Sequence, residues 1–304
     1  MNSFTIMTDT SYDLPQEFID ENGILIIPIP FHMDGALHND GRWQKISAME
    51  FYEKLGKGSA AGTAQINPEA YVEVFTQFAE RGEPLLLILL SSGLSPSYNN
   101  SVVALSEVKE KYPGCRICTV DSMNAAGGVG LINTLAVKKR AEGLSLEETA
   151  QWLEGKKDSC LSLFTVDDLM YLHRGGRLSK LQAVAGSIIG IKPLLNVAPD
   201  GTLKLKDKAR GRKAALETLV SQMARSLHPG ASLDTIVISH SNCIEDAQVV
   251  ESLIKARFAV REIIIEMMGP VIGAHVGPGC IALFFEADMA RPEYEAKFYG
   301  GKKE

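Results

Sequence analysis

Three hydroxyl residues and one imidazole stand out in this chain. Thr63, Ser91, Ser92 and His275 each sit in a short polar or Gly-containing stretch beside an apolar run. Hydroxyls both donate and accept hydrogen bonds, so this set can coordinate a carboxylate or a phosphate. The same residues admit a second chemistry. Ser92 with His275 would make a hydrolase nucleophile, if an acid such as Asp9 or Asp121 orients the imidazole. A module that binds phosphate or a small polar metabolite is a third alternative. His275 falls in Met268-Gly269-Pro270-Val271-Ile272-Gly273-Ala274-His275-Val276-Gly277-Pro278-Gly279, which reads as a loop. His32, His38, His228 and His240 have no comparable setting.

Other reactive residues point less far. Cys115 and Cys118 form a C-x-x-C inside the expected strand Cys115–Val120, whereas a redox pair needs a helix start to lower a thiol pKa. No second cysteine or histidine pair completes a zinc site. The five scattered cysteines suit reduced thiols in a cytoplasmic protein. Arg174, Arg177, Arg210 and Arg212 lie in short Gly-containing segments. They read either as solvated surface or as a docking or phosphate-facing patch in a chain of net charge −6. That acidic balance argues against a broad nucleic-acid surface. No run approaches the ~20 apolar residues of a membrane helix, so stable membrane insertion is not expected. The first residues lack the basic start and cleavage site of a signal peptide.

These residues need elements to hold them. The six aliphatic residues Leu85 to Leu90 predict a central strand buried on both faces. Polarity changes at Ser91-Ser92-Gly93, and Ser95 with Pro96 reads as the cap and first turn of a helix to about Lys111. Free N–H groups and hydroxyls at such a junction make an anion site, at the strand end where open α/β sheets bind ligands. The junction matches neither a phosphate P-loop nor G-x-S-x-G, since Leu90 stands where the first Gly belongs. Upstream, Phe4–Thr8 reads as a strand ending in Asp9-Thr10-Ser11, and Ile24–Phe31 as a second strand, tolerant of Pro28 and Pro30 only near an edge or irregularity. Asn67 and Pro68 start a helix after Thr63. Gly127, Gly128 and Gly130, in a helix over Ala125–Arg140, suggest close packing.

Strand and helix alternate through the first half, as in a parallel sheet covered by helices. The pattern shifts near residue 158. Lys192–Val197, the turn Pro199-Asp200-Gly201 and Leu203–Lys208 then read as a β-hairpin. The expected architecture is two α/β domains, 1–158 with a mainly parallel sheet and 159–304 with a mixed sheet and hairpin.

Six motifs in order carry a family likeness. They are Thr8-Asp9-Thr10-Ser11-Tyr12-Asp13-Leu14, Ser91-Ser92-Gly93-Leu94-Ser95, Val120-Asp121-Ser122, Arg174-Gly175-Gly176-Arg177-Leu178-Ser179, Ile191-Lys192-Pro193-Leu194-Leu195 and Gly273-Ala274-His275-Val276-Gly277-Pro278-Gly279. Over nearly its whole length the chain resembles the DegV family of bacterial fatty-acid-binding proteins. The resemblance implies two α/β domains enclosing a long-chain fatty acid. It implies a carrier, not itself an enzyme, that presents the carboxylate to a separate ATP-binding kinase subunit making acyl phosphate. Thr63, Ser92 and His275 would surround the carboxylate, with Ser91 in the same turn and the Gly93 N–H nearby. Arg174 and Arg210 would face the kinase, and Arg177 is grouped with them. No metal or further cofactor is implied. The chain has Thr63-Ala64-Gln65-Ile66 where the family usually has Thr-Ser-Gln-Pro, which removes one hydroxyl. Burial of about 16 methylenes at ~0.8 kcal/mol each outweighs one charged hydrogen bond of ~1.5–3 kcal/mol. The tail should therefore dominate affinity and the head group should fix orientation.

Overall fold

The computed structural model describes residues 4–39, 43, 45–186 and 190–300. Thirteen strands occur among these residues: β1 (Thr5–Asp9), β2 (Leu25–Ile27), β3 (Phe31–Met33), β4 (Ala36–His38), β5 (Ala61–Thr63), β6 (Leu85–Leu89), β7 (Ile117–Asp121), β8 (Cys160–Thr165), β9 (Ile191–Val197), β10 (Leu203–Arg210), β11 (Ser232–His240), β12 (Ala259–Met267) and β13 (Ile281–Glu286). They form three sheets.

The first sheet is parallel, in the order β2-β1-β6-β7. Every residue of β6 is buried, as its unbroken Leu/Ile run requires of a strand covered on both faces. The expected strand Ile24–Phe31 divides in two. Pro28 and Pro30 have no N–H to give a ladder, so β2 stops at Ile27 and β3 begins a separate small antiparallel sheet, β4-β3-β5. That small sheet carries Thr63 at the end of β5.

The third sheet is mixed, in the order β10-β9-β8-β13-β11-β12, with only β11 and β12 parallel. The α/β class and the parallel and mixed character of the two large sheets agree with the sequence. Side chains along β8 and β13 alternate between two cores, as the two-residue strand period dictates. Leu161, Leu163, Ile281, Leu283 and Phe285 pack towards helices Arg212–Arg225 and Ile244–Lys255. Phe164, Ala282 and Phe284 face the opposite way, into the core shared with β1 and β6.

Helix Gly127–Ala141 joins the two large sheets. A Cβ on Gly127 would lie 2.5 Å from Val237 Cγ1 and 2.9 Å from Phe284, so only glycine permits this approach. The Gly127 N–H donates to Ser239 Oγ at 3.0 Å. Gly128 and Gly130 are similarly close to Asn124 and Leu14, which fits the close packing expected of these glycines.

Candidate functional site

A cavity of about 240 Å³ lies where the parallel sheet, the mixed sheet and the small sheet meet. Its walls are mostly hydrocarbon. Leu90 and Ala126 come from the ends of β6 and the approach to helix Gly127–Ala141. Phe164, Val197, Leu203, Ala282 and Phe284 come from one face of the mixed sheet. Helix Pro270–Val276 adds Val271, Ile272 and Val276. The polar side chains on the wall are few: Thr63, Gln65, Ser95, Ser162, Arg177 and His275. Ser162 is already paired with the Asn124 side chain.

His275 sits on a helix, not in the loop expected from the sequence. Pro270 fills the first helical position and Gly277, at φ +67°, ends it. That is the proline-first, glycine-last pattern of helix ends, compressed into seven residues. Thr63 Oγ1 and His275 Nε2 are 2.8 Å apart. His275 Nδ1 is buried and has no hydrogen-bond partner among the described residues. Burial, and secondarily the nearby Arg177 charge, push the His275 pKa down to about 4, so the imidazole is neutral.

Arg177 belongs to this wall. Its Nε donates to Leu94 O at 3.0 Å and its Nη1 to Gly175 O at 2.5 Å. The side chain is half-buried, and desolvation lowers its pKa from the ordinary arginine value. The sequence grouped Arg177 with the docking arginines, but the fold turns it inward. Arg174, three residues earlier, is exposed and lies over the Tyr171 ring at 4.4 Å. Arg210 is exposed at the end of β10. A register shift between Leu205 and Asp207 leaves Lys206 without a partner in β9. Such a bulge reverses the inward–outward order that follows it. Arg210 thus stands on the sheet face of Leu203 and Leu205, while Lys206 pairs with Glu295 at 2.8 Å.

The turn after β6 divides its residues differently from the sequence expectation. Ser91, Ser92 and Gly93 are not among the residues that line the cavity, whereas Leu94, Ser95 and Pro96 are. Ser91 is fully buried and its Oγ donates to Gly201 O at 2.9 Å. The Gly93 N–H donates to Ser91 Oγ at 3.2 Å, and the Ser92 N–H to Asp121 at 3.2 Å. The wall hydroxyl is Ser95, which is 7% exposed and lies 3.0 Å from Ser97 Oγ. Its Oγ also accepts the Ser97 N–H at 3.3 Å, and helix Ser97–Lys111 begins there. Sequence reasoning makes Ser95 the cap and Pro96 the first helical residue, whereas the helix has Pro96 at its N-cap position and no side-chain cap.

The parts of a serine hydrolase do not assemble. His275 is bonded to Thr63 rather than Ser92. Asp9 accepts the Leu90 and Ser11 N–H groups at 2.8 Å each and ties β1 to β6. Asp121 accepts from Ser92 and Met123. No group of three His, Cys, Asp or Glu suited to a metal occurs among the described residues. No helix among them is long and apolar enough to cross a membrane.

The sequence profile described as "Uncharacterised protein, DegV family" matches residues 3–288. A DegV domain-containing protein of Clostridium perfringens, CPE0026, is 36% identical over 293 residues, covering 96% of this chain and 100% of the relative. Two solved structures share the fold. One is a DegV family protein from Thermus thermophilus described for its fatty-acid binding. It has a TM-score of 0.83 and 27% identity, and covers 93% of this chain and 99% of the other. The second is TM841 of Thermotoga maritima, described as revealing fatty acid binding function. It has a TM-score of 0.82 and 26% identity, and covers 94% and 100% of the two chains.

Proposed function

The chain belongs to the DegV family, and on that premise we propose that it binds a long-chain fatty acid in the cavity and presents the carboxylate to a separate ATP-dependent kinase subunit. The observation that carries this reading is an apolar cavity whose few polar side chains gather around one contact, Thr63 with His275. Ser95 and Arg177 extend that cluster through Leu94, to whose carbonyl Arg177 is bonded. The exposed residues Ala64, Gln65 and Pro96 mark the adjoining mouth. The fatty-acid binding described for the Thermus and Thermotoga relatives supports the same ligand class here.

In this reading Thr63 and Ser95 donate to the carboxylate, and Arg177 favours its ionised form. Neutral His275 orients Thr63 without titrating near neutral pH. The acyl tail fills the space between a 1–158 unit and a 159–304 unit. Hydrocarbon burial supplies most of the affinity. In the handover a carboxylate oxygen forms a bond to the terminal phosphorus of ATP held by the partner, and ADP leaves with the electrons of the broken P–O bond. The carrier supplies position and charge. Arg174 and Arg210, exposed and outside the cavity wall, are the docking residues.

Native mass spectrometry of the purified chain beside a denatured control tests the reading. A non-covalent fatty-acid mass that disappears on denaturation is the expected result. An acyl adduct that survives denaturation and maps to Ser92 would replace the carrier with a hydrolase. A co-purified polar phosphorylated compound without lipid would replace it with a metabolite-binding module.

A further inference from the structure

Gly175 lies flush against the back of the His275 ring. A Cβ placed on Gly175 would stand 2.2 Å from His275 Nδ1 and 3.0 Å from Cε1. Its φ of −73° is open to any residue, so the need for glycine here comes from the contact and not from the backbone. A neutral imidazole has one N–H and one bare nitrogen. Nδ1 is buried without a partner among the described residues, while Nε2 faces Thr63 Oγ1 at 2.8 Å. A buried N–H with no acceptor is the rarer arrangement, because the donor loses its hydration and gains nothing. The bare nitrogen is then Nδ1, and Nε2–H donates to Thr63. Thr63 keeps its own hydroxyl proton, which it can give only to something in the cavity.

We infer that Gly175 is a positioning residue: by closing on Nδ1 it holds His275 as the Nε2–H tautomer and so makes Thr63 a donor to an anionic head group. The identity of that anion as a fatty-acid carboxylate rests on the proposed function, but the ring's tautomer does not. Gly175 also lies between exposed Arg174 and inward Arg177, and its carbonyl accepts from the latter. One short segment thus carries the docking residue, the ring support and the cavity cation.

Nitrogen-15 NMR of the histidine-labelled full chain, with the signal assigned by its loss in His275→Gln, reads the tautomer directly. The expected spectrum has protonated Nε2 and bare Nδ1, and a protonated Nδ1 overturns the inference whether or not any lipid binds. A second arm titrates palmitate into delipidated protein. Gly175→Ala should weaken binding at least about tenfold, the change that 1.4 kcal/mol produces. Gly155→Ala, which would meet no atom within 4 Å, should leave binding unchanged. In a His275→Ala background the Gly175→Ala change should add nothing, because the ring it displaces is gone. An equal further loss there would make Gly175 a general structural residue and sink the proposal. If Gly175→Ala does not fold, the tautomer on the parent chain decides. If the parent binds no palmitate but shows the Nε2–H ring, the lipid reading fails and the positioning role stands.

Discussion

Thr63 Oγ1 meets His275 Nε2 at 2.8 Å although 212 positions separate the two residues in the chain. One comes from the edge of a three-stranded sheet, the other from a helix that follows β12. Substituting either hydroxyl at the cavity's polar end should therefore act on the ligand and leave the distant cores intact. Thr63→Val and Ser95→Ala should each weaken fatty-acid binding ~10–100-fold, as loss of one charged hydrogen bond of ~1.5–3 kcal/mol implies. Ser92→Ala should stay within a few-fold of the parent. Titration of delipidated protein checks all three, and an effect confined to Ser92 would move the head group to the other side of the turn.

Much of the scaffold was legible in the sequence because it follows from local pattern. Six aliphatic residues announced β6, and Pro199-Asp200-Gly201 announced the hairpin turn, where Asp200 Oδ1 accepts the Thr202 N–H at 3.0 Å. The helix bearing His275 was hidden because its glycines and prolines resemble a loop until its ends are seen as caps. Ser95 and Ser92 differ by three positions in one turn, and only the packing decides which hydroxyl faces the cavity. The cavity itself leaves no periodic signal. Its wall on β8 and β13 is simply the other half of a normal alternation, and nothing local says which face lacks a filling neighbour.

Stability should depend on pH through His275. Its ordinary pKa of 6.5 is pushed down to about 4, first by burial and then by Arg177. The unfolded chain therefore takes up a proton at this site below pH 6.5, while the folded chain refuses it until about pH 4. The contribution is fully present above pH 6.5 and is lost as pH falls towards 4, with a size on the order of 3 kcal/mol. Denaturant unfolding of delipidated protein at pH 7 and near pH 4.5 is the measurement. The parent should lose about 2–3 kcal/mol more than His275→Gln on acidification. Equal losses in both would mean that the buried ring does not govern this window.

Ser91 and Gly201 form a latch between the turn after β6 and the hairpin of the mixed sheet. Ser91 Oγ donates to Gly201 O at 2.9 Å, and Gly201 has φ +75°. A Cβ on Gly201 would come within 2.4 Å of Ser91 Oγ. Gly201→Ala combines backbone strain with a clash and should destabilise by about 1–3 kcal/mol. Ser91→Ala removes one hydrogen bond and should cost about 1 kcal/mol. Because Leu94, Val197 and Leu203 flank this latch and line the cavity, both variants should also release a fluorescent fatty acid faster. Stopped-flow dissociation checks this. A Ser91→Ala protein of unchanged stability whose affinity falls as far as that of Thr63→Val would instead make Ser91 a head-group ligand.

The arginines outside the cavity separate binding from handover. Arg174 is exposed and stacks on Tyr171, whose hydroxyl is anchored to Leu55 O at 2.8 Å. Arg210 reaches its face of the sheet because the bulge at Lys206 reverses the alternation of β10. Neither lines the cavity. A planar fork that stays charged suits carboxylates on a partner surface. Arg174→Ala and Arg210→Ala should therefore keep fatty-acid affinity within a few-fold of the parent and weaken docking to the kinase subunit. A buried pair would cost ~2–5 kcal/mol on truncation, whereas a rim charge would mainly alter association rate and salt sensitivity. Arg177→Ala should behave in the opposite way, losing head-group affinity first because its side chain lies on the cavity wall beside His275. The measurement pairs a fatty-acid titration with acyl-phosphate formation by the kinase across carrier concentrations. If Arg174 and Arg210 variants lose lipid binding in step with phosphorylation, these residues serve the pocket or the fold. If neither quantity changes, they are solvated surface and docking lies elsewhere.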